Sequence, residues 1–179
     1  MHRLTWTLLA SAGTLLVLGE AATAQQVNRA ERLLGGNENP PVVTDATGNF
    51  RARVFADRIE FRLRYDVAGD ESPDSDVTQA HLHVANPGVN GGIVVFLCAN
   101  DPIVTPPPAT ERECPPSPGI VTGEIVAEDV LTDPTNGVLQ AGDLEGLKDL
   151  IRQGSVYANV HSDDHPAGEV RGQMNARVR

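Results

Sequence analysis

The chain has 179 residues, a net charge of −10 and two cysteines. Its length suits a single ordinary domain of roughly 100–200 residues, with volume enough for a real core. The acidic balance, with no run of clustered basic residues, counts against a nucleic-acid partner, because binding phosphates by counterion release requires clustered cations.

At the start of the chain, Arg3 precedes an apolar run over 4–18, and Ala22-Thr23-Ala24 offers the small residues at which a signal peptidase cuts. Residues 1–24 therefore read as a signal peptide, and the mature chain as secreted or periplasmic. Losing Arg3 and Glu20 with that segment leaves the net charge at −10. The apolar run is too short and too interrupted for a bilayer span and no second one follows, so no membrane insertion of the mature chain is expected. Nothing in the sequence indicates a lipid or hydrophobic C-terminal anchor. Residues 25–33 read as an N-terminal lead and 34–179 as one domain.

From there the dominant period is two. Phe50, Ala52 and Val54 alternate with Arg51 and Arg53; Ile59, Phe61, Leu63, Tyr65 and Val67 alternate with Arg58, Glu60, Arg62, Arg64 and Asp66. With Ala56-Asp57 between them, these segments predict a hairpin with a charged outer face, on which Asp57, Glu60 and Asp66 are expected to pair with the arginines. The acidic stretch 69–76 lacks the glycine and distal glutamate of a calcium loop and reads as solvated. Further strands are predicted at 78–84, 93–98, 120–127, 156–161 and 170–178, with turn clusters such as Asn86-Pro87-Gly88 between several of them.

Cys98 and Cys114, an even pair in an exported chain, are expected to form a disulfide. It would close a loop containing Pro102, Pro106, Pro107 and Pro108. One helix follows: Asp143 can cap it, Leu144, Leu147, Leu150 and Ile151 share a face, and Gly154 can end it. The pattern predicts a mainly β fold, an antiparallel Greek-key β-sandwich or barrel, immunoglobulin-like or superoxide-dismutase-like, with one short crossover helix.

His81-Leu82-His83 and His161-Ser162-Asp163-Asp164-His165 hold every histidine except His2. Strand alternation puts Leu82 and Val84, with Val156, Ala158 and Val160, in the core, and sends His81, His83, Tyr157, Asn159 and His161 to the outer side, outside the core. Neutral imidazole is the commonest protein metal ligand, and an H-x-H on one strand with a third histidine from a neighbour can converge on one ion. His81, His83, His161 and the loop residue His165 are the candidate ligands, with Glu169 and Asp164 as candidate acceptors for the far ring nitrogens. Imidazole-only coordination suits copper or zinc, and one copper ion is the expected occupant, with zinc as the alternative.

Ala80-His81-Leu82-His83, the turn Pro87-Gly88-Val89-Asn90-Gly91, the run from Tyr157-Ala158-Asn159-Val160-His161 through His165-Pro166-Ala167-Gly168-Glu169-Val170-Arg171-Gly172-Gln173, and the opening Gly35-Gly36-Asn37-Glu38-Asn39-Pro40-Pro41 together resemble the chordin-type (CHRD) domain. The resemblance covers about 34–176 and implies an extracellular or periplasmic β-sandwich without an agreed activity. A more distant similarity, to copper/zinc superoxide dismutases, rests on the H-x-H and the late-strand histidine, and gives Arg171 the part of an anion-guiding arginine. The mature chain has too few histidines for a copper and zinc pair, so at most one mononuclear site is expected. Three readings follow, in order: a module binding one metal ion for storage, delivery or protection; a non-catalytic module that contacts another extracellular protein; and a copper-dependent, superoxide dismutase-like oxidoreductase. No residue is assigned as catalytic.

Overall fold

The computed structural model describes residues 26–67, 77–100 and 112–176. The expected signal peptide at 1–24, the acidic stretch at 69–76, the prolines at 102 and 106–108, and the last residues of the 170–178 segment lie outside the described residues. Among the described residues no helix is long and apolar enough to cross a membrane.

Among the described residues nine strands form one antiparallel sheet around one core. They are β1 (Gln26–Leu34), β2 (Thr47–Val54), β3 (Ile59–Asp66), β4 (Val77–Val84), β5 (Gly92–Ala99), β6 (Gly119–Ile125), β7 (Val156–Ser162), β8 (Val170–Gln173) and the short β9 (Asn175–Ala176). The order across the sheet is β5-β4-β7-β8-β1-β2-β3-β6, with β9 also on β1. The sheet curls until its two ends approach: the Leu131 N–H, just past β6, donates to the Val94 carbonyl of β5 at 2.8 Å. The result is a nearly closed barrel, which leaves few unpaired edge groups.

The predicted hairpin is β2–β3, in a register that sets Phe50 against Leu63, Ala52 against Phe61 and Val54 against Ile59. These six are buried, together with Tyr65, Leu82, Leu97, Ile125, Val160 and Val170. The alternating arginines face away from this core, and among the described residues the expected ion pairing forms at Arg58 alone, with none between β2 and β3. Asp57, Glu60 and Glu124 all pair with Arg58, at 3.0–3.2 Å. Arg51, Arg53, Arg62 and Arg64 are exposed without an ion pair among the described residues.

β1 corresponds to a segment the alternation does not reveal. Its register against β2 shifts between Ala30 and Leu33, so the period of two is broken by an irregularity that hides the strand from pattern reading. The last predicted strand is divided at Met174 into β8 and β9.

The helix α1 (Leu144–Gln153) is the crossover from β6, at one end of the sheet order, to β7 beside β4. The Asp143 carboxylate accepts from the Gly146 N–H at 2.8 Å, and Gly154 ends the helix at φ 76°, a left-handed conformation that only glycine adopts without strain. Leu144, Leu147 and Ile151 are buried in the core and Leu150 packs partly against it. Buried Lys148 donates to the Ala56 carbonyl at 2.6 Å and to Glu145 at 2.7 Å, fastening the helix to the β2–β3 turn. Cys98 and Cys114 form the expected disulfide, with Cα atoms 5.0 Å apart. The Asn100 side chain braces it by accepting from the Cys114 N–H and donating to the Cys114 and Val77 carbonyls.

Candidate metal centre

β4 and β7 lie side by side and antiparallel, with Gln79 opposite His161, His81 opposite Asn159 and His83 opposite Tyr157. Leu82, Val84, Val156, Ala158 and Val160 face the core as alternation predicts, and His81, His83 and His161 share the other face. That face is not open to solvent. His81 is 0 % exposed and His83 and His161 are each 7 % exposed, which corrects the expectation that these histidines stand outside on the surface. A further layer of chain lies over the barrel here. The 86–91 turn reaches His83, the 163–168 turn reaches His161, and Phe96 from β5 sets its ring 4.7 Å from that of His81.

Burial decides the protonation state. Desolvation pushes the His81 imidazole well below its usual range, further opposed by the neighbouring histidines; it pushes His83 down to about 4 and lowers His161 as well. Hydrogen bonds from His83 to the Gly91 carbonyl and from His161 to the Pro166 carbonyl act in the opposite direction but do not prevail. At neutral pH all three rings are therefore neutral, each with one N–H and one lone pair.

The hydrogen bonds then fix which nitrogen is which. His83 Nδ1 lies 3.1 Å from the Gly91 carbonyl, His161 Nδ1 3.0 Å from the Pro166 carbonyl, and His81 Nε2 2.9 Å from Gln79 Oε1. Each acceptor requires the N–H at that position, so the lone pairs fall on His81 Nδ1, His83 Nε2 and His161 Nε2. These three atoms are buried and without a hydrogen-bond partner. Three orphaned lone pairs in one place are unusual, since buried polar atoms nearly always find partners.

The rings are clustered, with centroids 4.8 Å apart for His81 and His161 and 5.4 Å for His81 and His83. One ligand nitrogen from each lies within 4.8 Å of those from the other two. Bonds of about 2.0–2.1 Å to a central ion require nitrogens about 3.3–3.6 Å apart, so a contraction of at most about 1.2–1.5 Å completes a three-coordinate set. The residues fit a metal ion, and Gln79, Gly91 and Pro166 supply the outer hydrogen bonds that orient its ligands.

The remaining candidates fall elsewhere. His165 is half-buried and its imidazole is not part of the close group; its backbone shapes the turn, with the N–H donating to Ser162 Oγ and the carbonyl accepting from Gly168. Glu169 accepts from Thr44 Oγ1 at 2.8 Å and Asp164 is exposed, so neither takes a ring N–H from the three histidines.

Arg171 is 4 % exposed, with its guanidinium 4.8 Å from the Tyr157 ring centre. His83 stacks on the same ring at 4.7 Å, nearly parallel at 3°. In the sheet β7, which carries Tyr157, runs between β4 and β8. Arg171 is thus separated from His83 by an aromatic ring and donates to the carbonyls of Asn37 and Val89 and to Asn90 Oδ1. Those bonds tie the opening segment and the 86–91 turn together, and Gly91, at the end of that turn, holds His83. Beyond Arg171 lies a cleft of about 510 Å³ that includes Asn37, Glu38 and Asn39. Burial pushes the Glu38 carboxyl up to about 7, against the opposing pull of Arg171 and the hydrogen bond from Asn159.

Sequence reasoning finds the three histidines and misses the groups that orient them. Gln79 carried a usable signal, because it lies two residues before His81 on the same strand face. Gly91 and Pro166 act through backbone carbonyls, which any residue supplies, so no side-chain pattern marks them.

Compared with known proteins, the chain matches the family model of the CHRD domain over residues 30–174. No curated protein and no solved structure matches it.

Proposed function

The chain belongs to the CHRD domain family, and from that premise we propose that it is an exported module that holds one metal ion, copper before zinc, on His81, His83 and His161, for storage, delivery or protection. The observation that carries the reading is the set of three buried, unpartnered ring nitrogens with their tautomers already fixed for ligation. Copper is favoured on chemistry. Nitrogen ligands bind divalent copper more tightly than divalent zinc, and zinc in a closed structural site takes four protein donors where this cluster offers three. The donors are also neutral, with neutral amide and carbonyl groups behind them, so nothing in the cluster offsets the charge of an ion; the lower charge of Cu(I) suits it better than that of Cu(II). Export is supported by the leader-like 1–24 segment and by the disulfide, which belongs to oxidising compartments.

The test is native mass spectrometry of the mature protein loaded anaerobically with Cu(I), and separately with Cu(II) and Zn(II), followed by competition with a chromogenic chelator. One copper retained per chain, with Zn(II) removed at a lower chelator concentration, is expected. Retention of zinc over copper would overturn the choice of metal, and loss of every ion would overturn the site.

A further inference from the structure

On the opposite side of the sheet order from the histidines, β2 and β3 present a regular array of cations to solvent. Arg51 and Arg53 of β2 and Arg62 and Arg64 of β3 are all exposed. The register sets Arg51 directly opposite Arg62, and it also sets Arg29 of β1 opposite Arg51. Same-face residues recur about every 7 Å along a strand and about 5 Å across it. The four side chains therefore form a staggered row, with Arg53 and Arg64 diagonally to either side of the facing Arg51–Arg62 pair, Glu60 standing opposite Arg53 and Asn49 opposite Arg64.

One feature sets this array apart from ordinary surface charge. Like charges directly opposite one another destabilise a sheet, yet in a chain with 24 acidic residues none pairs with these four among the described residues. Nearby Asp57, Glu60 and Glu124 all gather on Arg58 at one end of the hairpin instead. Arginine is the chain's ordinary cation, Lys148 being the one lysine, and its planar fork grips carboxylate or sulfate oxygens in bidentate fashion.

We propose that the outer face of β2 and β3 binds a linear anionic polysaccharide, with Arg51, Arg53, Arg62 and Arg64 gripping its carboxylate or sulfate groups. The rest of the protein decides the shape of the partner. With a net charge of −10, a broad anionic surface would bring the acidic remainder of the protein within a Debye length of about 8 Å and be repelled. A thin single chain meets the array alone. The neighbouring strand adds the mixed character that sugars need: β6 sets Thr122 beside Arg62 and Ile120, 47 % exposed, beside Arg64, so a hydroxyl and an apolar contact flank the charges.

The test measures binding of the disulfide-bonded mature protein to immobilised dextran sulfate and polygalacturonate across a salt series, with neutral dextran as the blank. Saturable binding that weakens steeply with salt is expected on at least one polyanion. Arg51→Gln with Arg62→Gln should weaken it at least tenfold and flatten the salt dependence, while leaving the melting temperature unchanged or higher because two facing like charges are gone. The charge-matched double variant Arg32→Gln with Arg152→Gln should bind as the parent does. No binding above the neutral blank, equal losses in the two double variants, or tighter binding to anionic phospholipid vesicles than to either polysaccharide would overturn the proposal.

Discussion

Two stretches of the same barrel carry polar residues on the face turned away from the core, and they have opposite fates. On β2–β3 the alternate positions are arginines and stay in water. On β4 and β7 they are histidines, tyrosine and asparagine beside half-buried Gln79, and all but Gln79 are buried as fully as core residues. The difference lies in what crosses above each face. The 86–91 and 163–168 turns and the opening segment 35–44 lie over the second face and are tied to it by Arg171, Asn90, Thr44 and Glu169. The first has no such cover among the described residues. Strand parity thus tells which side a residue takes, and only tertiary cover tells whether that side is wet.

The comparison is broken most severely by placing one charge at matched positions. His81→Asp would put an uncompensated carboxylate into a dry layer and should destabilise the protein by about 3–5 kcal/mol. Arg62→Asp, of the same outward parity, should change stability by less than about 0.5 kcal/mol or raise it slightly. Urea midpoints of the two variants measure the contrast, and similar values would refute the buried layer.

Acid sharpens the same contrast. The unfolded His83 takes up a proton below its ordinary 6.5, whereas the folded residue resists until about 4, so the unfolded state binds more protons in that window. Stability is full above pH 6.5 and falls as pH drops towards 4, by about 3 kcal/mol from His83 alone. His81 and His161, also lowered, add to the loss in the same direction. Denaturant titrations of the apo protein at pH 7 and pH 5 read it; a variant with the three histidines replaced by glutamine should show a markedly flatter profile.

The disulfide supports the buried half, because Cys98 sits on β5 opposite Ala80 of β4. With 16 residues of sequence separation, its loss through Cys98→Ser and Cys114→Ser should destabilise by roughly 3 kcal/mol. The metal site should persist, since neither sulfur touches it. Melting curves and metal titration of the double variant check both halves of that statement.

The smallest effect comes from Glu38, whose sign is opposite to that of the histidines. Its folded form holds a proton up to about 7 rather than 4.5, so its contribution is present below pH 4.5 and is lost as pH rises through 7. Glu38→Gln keeps an acceptor for Asn159 and removes that loss; Glu38 lines the open cleft, where solvent screens much of the shift, so stability at pH 8 should rise by on the order of 1 kcal/mol with little change at pH 4.5. An unchanged difference between the two pH values would show that Glu38 ionises freely.

Much of this was legible before the structure. Alternation in 50–54, 59–67 and 156–161 identified strands and the inward set Leu82, Val84, Ala158 and Val160, because a half-buried strand must obey a period of two. The helix was readable from Asp143 and Gly154, whose chemistry ends helices. The strand at Gln26–Leu34 was not, since its bulge breaks the period. The depth of the histidines was hidden for a different reason: the cover comes from turns distant in sequence, held by backbone carbonyls and by Arg171, and local pattern carries no trace of them. Arginines of β2 and β3 were placed on the right face, but the choice of Arg58 as the common ion-pair partner depends on β6, which arrives late in the chain.

The most direct test of the account is calorimetric titration of the apo protein with copper at pH 7, beside the double variant His81→Ala with His83→Ala. The account predicts saturable binding of about one equivalent by the parent, weakening only as pH falls towards about 4, where the buried His83 takes up a proton, because the ligating imidazoles must be neutral, and none by the variant. No saturable binding by the parent, or binding that survives the loss of both histidines, would contradict it.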